Sequence, residues 1–414
     1  MRRQRGTDGE AGLVSLEEAG ARAAARAQAL PGLLDLPLAE ADGRVLAEAV
    51  VAPLDLPPFA NSAVDGYAVR FADLAADTET RLPLLGRTAA GEPAGALGHG
   101  AWRIFTGAPV PAGADTVAMQ EDVARHADAV VLSPGLKPGA NLRRAGEDVA
   151  RGQEVFPAGR RLRPQDLGLL AAMGIARVRV RSRPRVALFS TGNELTEPGR
   201  ALAPAAIYDA NRALLRALLV RAGADVVDLG ILRDEPAELE RHLREAAGAC
   251  DLVVTSGGVS VGEADHVRAA LCACGSLDLW RVAVKPGKPI AVGDAVGTPF
   301  IGLPGNPVAV FVGFLFVARP LLARLAGATE EASMILPVTS GFRHRKKAGR
   351  REFLRVTLER RDDGAVIARK HPGEGAGSLA SLAQSDGLVM LAEEMELLEE
   401  GVGVPFLPYA GLLG

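Results

Sequence analysis

Thr255 to Val267 reads TSGGVSVGEADHV. An apolar run, DLVV, leads into Ser256, Gly257 and Gly258; Ser260 follows, and then two carboxylates stand two residues apart, Glu263 and Asp265. Glycine lets a backbone turn sharply and lets a ligand approach it closely. Exposed N–H groups in such a turn cradle an anion. Two acids beside an anion would repel it unless a cation bridges them, and Mg²⁺ is the most plausible bridge. One reading is therefore a phosphorylated ligand held with a divalent metal. The other is an ordinary loop before a helix whose N-terminus favours acids. On this stretch alone the two weigh about equally.

Other residues could join that site. Glu194 in STGNEL is either a metal ligand or a solvated carboxylate near a helix start. Asp234 in GILRDEP, just past a strand end, is a ligand or an N-cap. KPGKP presents Lys285 and Lys288 close together on a proline-stiffened turn, which suits an oxyanion or a diphosphate; the alternative is a solvated turn. LPGNP, with Pro304, Asn306 and Pro307, turns a buried strand into a buried helix. Pro307 suits the first helical turn, whose free N–H groups can meet an anion, although a turn for packing alone competes. Earlier in the chain, Asp65 in NSAVDGYA is either catalytic or a turn former with Gly66, and Thr106 in RIFTGAPVP ends a strand at a hairpin-like turn.

These residues need elements to hold them. From Arg185 onward, strands alternate with helices: RVALFSTGNEL, NRALLRALLVRAG, ADVVDLGIL, PAELERHLREAAGA, DLVVTSGG, DHVRAALCAC, LDLWRVAV, PFIGLP and NPVAVFVGFLFVARPLLARLAG. Asn211 reads as the N-cap of the first of these helices and Gly223 as its C-cap. Such alternation predicts a doubly wound parallel sheet covered on both faces, with ligands outside the carboxyl ends of its strands. STGNEL, TSGGVSVGEAD, KPGKP and LPGNP all fall at such ends, which favours a single site. Val14 to Ala52 is rich in Ala, Leu, Glu and Arg and reads as helical, with Ser15 and Glu18 as a capping box. Pro57 to about Pro134 reads as β-rich with frequent turns, RLRPQDLGLLAAMGI as a helix between Pro164 and Gly174, and the chain beyond Ala326 as a small β domain.

At 414 residues the chain is too long for one core. A net charge of −3 gives no whole-chain attraction to nucleic acid or an anionic membrane, and 4% aromatic residues argue against base-stacking platforms. Cys250, Cys272 and Cys274 form no disulfide framework and fit a reducing cytosol; the Cys-Ala-Cys spacing does not suit structural zinc. No uninterrupted apolar run is long enough to span a bilayer. The first 12 residues lack a signal-peptide core and read as a disordered tail. None of the six histidines pairs at ligand spacing, and no nucleophile elbow is present. RHRKKAGRR, from Arg343 to Arg351, is a solvated face or a phosphate or oxyanion patch, and less readily an RNA site.

PPFANSAVDGYAV, RIFTGAPVP, STGNEL, TSGGVSVGEADHV, KPGKP, GLPGNPVAV, and RREFLR with SLASLAQSDGL occur in that order. Together they resemble the molybdopterin molybdenumtransferases, the MoeA and gephyrin E-domain family, over nearly the whole chain from about Leu13. The resemblance implies a multidomain α/β protein. Residues 13–57 with 134–183 would form an elongated mixed N-terminal domain, 58–133 a β-rich insertion, 184–328 a doubly wound, MogA-like molybdopterin-binding domain, and 329–414 a small β-barrel. It implies Mg²⁺-dependent insertion of molybdate into adenylylated molybdopterin, with release of AMP, in the cytoplasm. It further implies a homodimer whose site is shared between subunits, and hand-offs with the adenylyltransferase and with proteins that mature molybdoenzymes, without nucleic acid or membrane. By motif, Asp65 and Thr106 would come from the partner subunit, and Glu194, Asp234 and Asp265 would hold or position Mg²⁺ and the pyrophosphate. Ser256, Gly257, Gly258, Ser260, Pro304, Asn306 and Pro307 would line the substrate. Lys285 and Lys288 would hold molybdate or phosphate, with Arg351 and Ser378 as weaker oxyanion contacts.

The chain departs from the family pattern at Ala60 and Asn193, where acids are usual, at Val64, usually Met, and at Ala309, where some relatives carry Ser. Two other readings compete with the transferase. The adenylyltransferase shares the α/β domain but carries Gly-Gly-Thr-Gly where this chain has Gly-Gly-Val-Ser, and it lacks the flanking domains. A non-enzymatic binding or scaffold role has no long linker or second module here to support it.

Overall fold

The computed structural model describes residues 13–258, 266–329 and 333–412. The tail read at residues 1–12 lies outside them. At the centre is a six-stranded sheet. In spatial order its strands are Asp225–Leu232, Arg185–Thr191, Leu252–Ser256, Thr298–Leu303, Pro289–Ala295 and Gly275–Arg281. The first four are mutually parallel. Pro289–Ala295 runs against both neighbours, so Gly275–Arg281 points the same way as the parallel four.

Alternate residues on these strands face opposite sides, as a pleated sheet dictates. Val186, Leu188, Leu252, Val254, Ile301 and Leu303 pack in one core with helices Ala210–Arg221 and Pro307–Leu325. Ala187, Phe189, Val253 and Phe300 pack in another with Pro236–Ala249 and His266–Cys274. Both faces are apolar, so the strands read as continuous apolar runs. This is the expected doubly wound fold.

One strand escaped the sequence. Pro289–Ala295 forms a hairpin with Thr298–Leu303 through Val296 and Gly297, at φ of 51° and 84°. Two-residue turns with both φ positive are normally signalled by Asn-Gly or Asp-Gly. Valine is strained there and hid the hairpin. The expected helix over Val14–Ala52 is also corrected. Only Leu16–Ala24 is α-helical, with a 3-10 turn at Leu38–Glu40, and Leu33–Pro37 pairs antiparallel with Arg177–Arg181. Pro31, Gly32 and Pro37 break any longer helix. Ser15 caps the helix by accepting from the Glu18 N–H at 3.1 Å, but the Glu18 carboxylate turns to Arg22 instead of closing a capping box.

Helix Pro307–Leu325 contains a π turn at Phe314–Ala318. By length and composition it could cross a membrane, which an uninterrupted-run criterion passed over because Arg319 breaks the run. Yet 72% of its apolar window is buried in the protein, as befits a core helix.

Three further bodies surround this layer. Ala41, Leu46, Phe156, Leu170 and Val180 build one small core from both sides of the insertion. Within the insertion, a six-stranded sheet runs Thr116–Met119, Gly66–Val69, Ala101–Ile104, Thr80–Thr88, Ala129–Leu132 and Val123–Arg125. Near the C-terminus, Arg351–Arg360, Val366–Lys370, Leu336–Ser340, Gly403–Pro408 and Gly387–Leu391 close into a five-stranded barrel, because the last of these also pairs with the first. Val284–Lys285 joins the barrel by parallel pairing with Arg351 and Glu352, which ties the α/β layer to it.

Candidate functional site

The loops singled out by sequence meet at the carboxyl edge of the parallel sheet. Gly257 and Gly258 leave strand Leu252–Ser256 at φ of 87° and 62°. A Cβ on Gly258 would lie 2.8 Å from the Thr191 methyl and 2.6 Å from Val267, so only glycine passes there. Thr191 ends the neighbouring strand, and its hydroxyl donates to Asp234 Oδ1 at 3.3 Å. The exposed Glu194 carboxylate lies back over Gly192, where a Cβ would approach its Oε2 to 2.6 Å. Ser256, buried, donates to the Pro304 carbonyl at 3.3 Å.

Asn211 ties two of these loops together. Its Nδ2 donates to Ser256 Oγ at 2.9 Å and to the Gly305 carbonyl at 2.7 Å. The sequence reading of Asn211 as an N-cap is therefore corrected. Asp209 is the cap, accepting from the Arg212 N–H at 3.1 Å and from Arg212 Nε at 2.9 Å. Both are good capping residues, so residue type could not choose between them.

The LPGNP turn leads into helix Pro307–Leu325, with Pro307 at its start. The Val308 N–H is already used: it donates to the Ala376 carbonyl at 3.1 Å. That bond brings the segment 373–378 over the helix start, and Ser378 with it. KPGKP arrives from the other side. Gly287, at φ 112°, packs on Ala309, which a Cβ would meet at 3.4 Å. A serine at position 309 would carry its hydroxyl beside this loop.

Lys285 stands where two cavities adjoin. One, of about 450 Å³, is lined by Lys285, Arg345, Lys346, Lys347, Arg350 and Glu352. Five cations face one carboxylate, a strong bias toward anions. The other, of about 270 Å³, takes Lys285, His344, Glu352, Arg355, Lys370 and Ala376 among its walls. Lys285 Nζ donates to the buried Glu352 at 2.8 Å, a contact set by their register as paired neighbours. Lys288 lines neither cavity, and its ammonium has no hydrogen bond or ion pair among the described residues.

Arg351 is placed away from this chemistry. It is ion-paired to Glu393 at 3.0 Å and to Glu17. Arg355, four residues further along the strand, is 5% exposed and has no ion pair among the described residues. It donates to Ser381 Oγ at 3.0 Å and to the Gly373 carbonyl at 2.6 Å, and it walls the smaller cavity. Burial holds its guanidinium below the ordinary arginine value. Sequence reasoning missed Arg355 and Glu352. The available signal was a pair of charges inside EFLRV, the buried stretch of its strand.

Asp65 and Thr106 lie together in two loops at one end of the inserted sheet. Asp65 Oδ1 accepts from the Thr106 N–H and from its hydroxyl, each at 2.8 Å. Those two donors hold the Asp65 carboxyl below the usual carboxylate range. Both residues stand at the end of a different sheet from the one that carries the loops above, and their side chains bond only to each other among the described residues. Ser260 and Asp265 lie outside the described residues. Among those described, no three His, Cys, Asp or Glu side chains converge as a metal cluster.

An α/β layer with glycine turns at its carboxyl edge, flanked by a barrel that supplies cations, is the architecture of a protein suited to anionic ligands. Residues 14–174 match the MoeA N-terminal region (domain I and II), 187–324 a probable molybdopterin binding domain, and 337–409 the MoeA C-terminal region (domain IV). The molybdopterin molybdenumtransferase of Haemophilus influenzae is 38% identical over 92% of this chain and 94% of its own. Molybdopterin molybdenumtransferase 1 of Mycobacterium tuberculosis is 33% identical over 96% and 100%. The crystal structure of the molybdopterin biosynthesis MoeA protein from Pyrococcus horikoshii OT3 superposes with a TM-score of 0.82 at 31% identity, covering 96% of this chain and 100% of that one. The chain belongs to the molybdopterin molybdenumtransferase family, transferases of molybdenum cofactor biosynthesis.

Proposed function

We propose that this chain inserts molybdate into adenylylated molybdopterin and releases AMP, in a Mg²⁺-dependent reaction. The position of Lys285 carries the reading. Its ammonium borders two cation-lined cavities and sits on the loop that packs against the start of helix Pro307–Leu325, beside the glycine turns suited to a phosphorylated pterin. Molybdate is a dianion and the pyrophosphate adds further negative charge. Both call for fixed cations in a partly desolvated site. Lys285, Arg355 and Ser378 would bind the oxyanion; Ser256, Gly257, Gly258, Pro304, Asn306 and Pro307 would line the pterin and its phosphate, with Ser260 beyond the glycines. Lys288, directed to neither cavity, would meet the pyrophosphate.

Glu194 and Asp234 leave the ends of adjacent paired strands and offer hard oxygen donors. That donor set suits Mg²⁺, which takes one or two carboxylates and keeps several waters. Glu194, Asp234 and Asp265 would hold it, and the ion would polarise the phosphoryl oxygen and neutralise the leaving AMP. Asp65, kept ionised by Thr106, suits an acceptor or positioning role better than that of an acid. Because Asp65 and Thr106 sit at the end of a separate sheet, a homodimer in which they reach the partner subunit's loops is the natural assembly. The cytoplasm, where the thiols stay reduced, fits as its compartment. The adenylyltransferase would supply the substrate, and molybdoenzyme-maturation proteins would take the product.

Reconstitution with purified protein, adenylylated molybdopterin, molybdate and Mg²⁺ tests this reading, following AMP and active cofactor together. Both should appear, and both should need Mg²⁺ and molybdate. Pterin binding without AMP release would favour a binding or scaffold role. Mixing Asp65→Asn and Lys285→Ala proteins should restore partial activity through the one intact site of a heterodimer; proven heterodimers without activity would refute the shared site.

A further inference from the structure

Behind Lys285 lies a chain of buried polar contacts that the reading above does not use. His344 is almost fully enclosed, its side chain 10% exposed. Its Nδ1 lies 3.1 Å from Lys370 Nζ, and its Nε2 lies 3.3 Å from Glu352 Oε1. An ammonium group can only donate. Nδ1 must therefore accept from Lys370, which leaves the ring proton on Nε2, pointing at Glu352. The tautomer follows from the neighbours. Glu352 Oε1 thus accepts from both His344 and Lys285. Lys370 is fixed in turn by Glu374, on the segment that also supplies the Ala376 carbonyl to the helix start.

This arrangement has an energetic logic. A carboxylate 4% exposed is costly unless its oxygens are satisfied. Lys285 alone, on a half-exposed flexible stem, would satisfy it poorly and could swing away into solvent. A second donor from a rigid ring fixes the carboxylate, and the fixed carboxylate then fixes the ammonium.

Resting on the molybdate reading above, we infer that His344, backed by Lys370, is a positioning residue for Lys285. It orients Glu352 so that the Lys285 ammonium stands at the junction of the two cavities, where a tetrahedral oxyanion would meet it. His344 touches no reacting atom. Its side chain bonds to Glu352 and Lys370 and not to the TSGG or LPGNP turns, so its effect is on the oxyanion and not on the pterin.

The test compares His344→Leu with His344→Gln. Glutamine keeps a donor for Glu352 and an acceptor for Lys370; leucine keeps neither. Molybdate affinity is read by calorimetry, which needs no turnover, alongside the KM for molybdate, kcat and the Kd for molybdopterin. His344→Leu should weaken molybdate binding about tenfold or more, the scale of one lost hydrogen bond to a charged group, with molybdopterin affinity unchanged. His344→Gln should restore most of the loss. Should His344→Leu fail to fold, Lys370→Met removes the anchor from the other end and should weaken molybdate in the same sense. Unchanged molybdate affinity in a folded His344→Leu or Lys370→Met protein would overturn the inference. Equal losses for molybdate and pterin would do so too, by showing a merely structural role. If the unaltered protein binds molybdate but never turns over, the proposed reaction fails while the calorimetric comparison still decides the role of His344.

Discussion

Asp65 Oδ1 takes two hydrogen bonds from one residue, the N–H and the hydroxyl of Thr106, each 2.8 Å long. The pair joins the loop before strand Gly66–Val69 to the loop after strand Ala101–Ile104. These strands are antiparallel neighbours, with Gly66 opposite Ile104, so the two loops are neighbours too. The Asp65 carboxylate is thus aimed from one strand end across to the end of its neighbour.

Asp65→Asn should leave the fold intact and abolish cofactor release, because an amide cannot serve as an anionic acceptor. Circular dichroism and the AMP assay read the two effects separately, and near-wild-type release would remove Asp65 from the site. The pH dependence has a definite sign. The folded carboxyl titrates below its ordinary value, so the Thr106 contacts are in place above about pH 3.9 and are lost only as pH falls through the lowered folded value. Thr106→Ala removes one of the two donors and should move that titration upward, measurable by carboxyl NMR. An unmoved Asp65 titration in Thr106→Ala would show that the hydroxyl does nothing for the carboxylate.

Arg351 and Arg355 should separate cleanly. Arg351 is occupied by the partly buried Glu393 and by the exposed Glu17. Arg351→Ala should cost about 1–3 kcal/mol of stability, the scale of a charged hydrogen bond in a partly buried setting, and leave the KM for molybdate alone. Arg355→Lys keeps the charge but loses the planar fork that reaches Ser381 and the Gly373 carbonyl. It should raise the KM for molybdate about tenfold or more, on the scale of a charge-assisted hydrogen bond. A larger molybdate defect in Arg351→Ala than in Arg355→Lys would reverse this assignment.

What was legible in the sequence divides along physical lines. The strand-helix alternation and the glycine loops at strand ends depend on local pattern, and they placed TSGG, STGNEL, KPGKP and LPGNP on one edge. The hairpin at Val296-Gly297 was illegible because its turn chemistry is atypical. Glu352, Arg355 and His344 were illegible for a different reason. Their importance comes from burial and from the parallel register that sets Lys285 beside Glu352, 67 residues away in sequence, so the charges inside EFLR were a local signal whose meaning only the tertiary structure supplies. Arg351 drew attention through the RREFLR motif and its basic run, while the burial that distinguishes Arg355 is a tertiary property.

Asn211 gives the sharpest test of that distinction. Were it only a helix cap, Asn211→Ser would be tolerated, since serine caps as well. In the folded chain the cap is Asp209, and Asn211 bridges Ser256 and Gly305 with two donors from one amide. Serine is too short and has a single hydrogen to give. Asn211→Ser and Asn211→Ala should therefore both lose about 1–3 kcal/mol of stability, the net worth of two hydrogen bonds, one to the buried Ser256 and one to the exposed Gly305 carbonyl. Both should also weaken molybdopterin binding, because the TSGG and LPGNP turns lose their common tether. Asp209→Ser, by contrast, keeps a cap, so its cost should fall on the Arg212 contacts and spare the pterin. Urea unfolding and molybdopterin titration read both quantities, and pterin affinity untouched in Asn211→Ala would mean that the two turns hold their places without it.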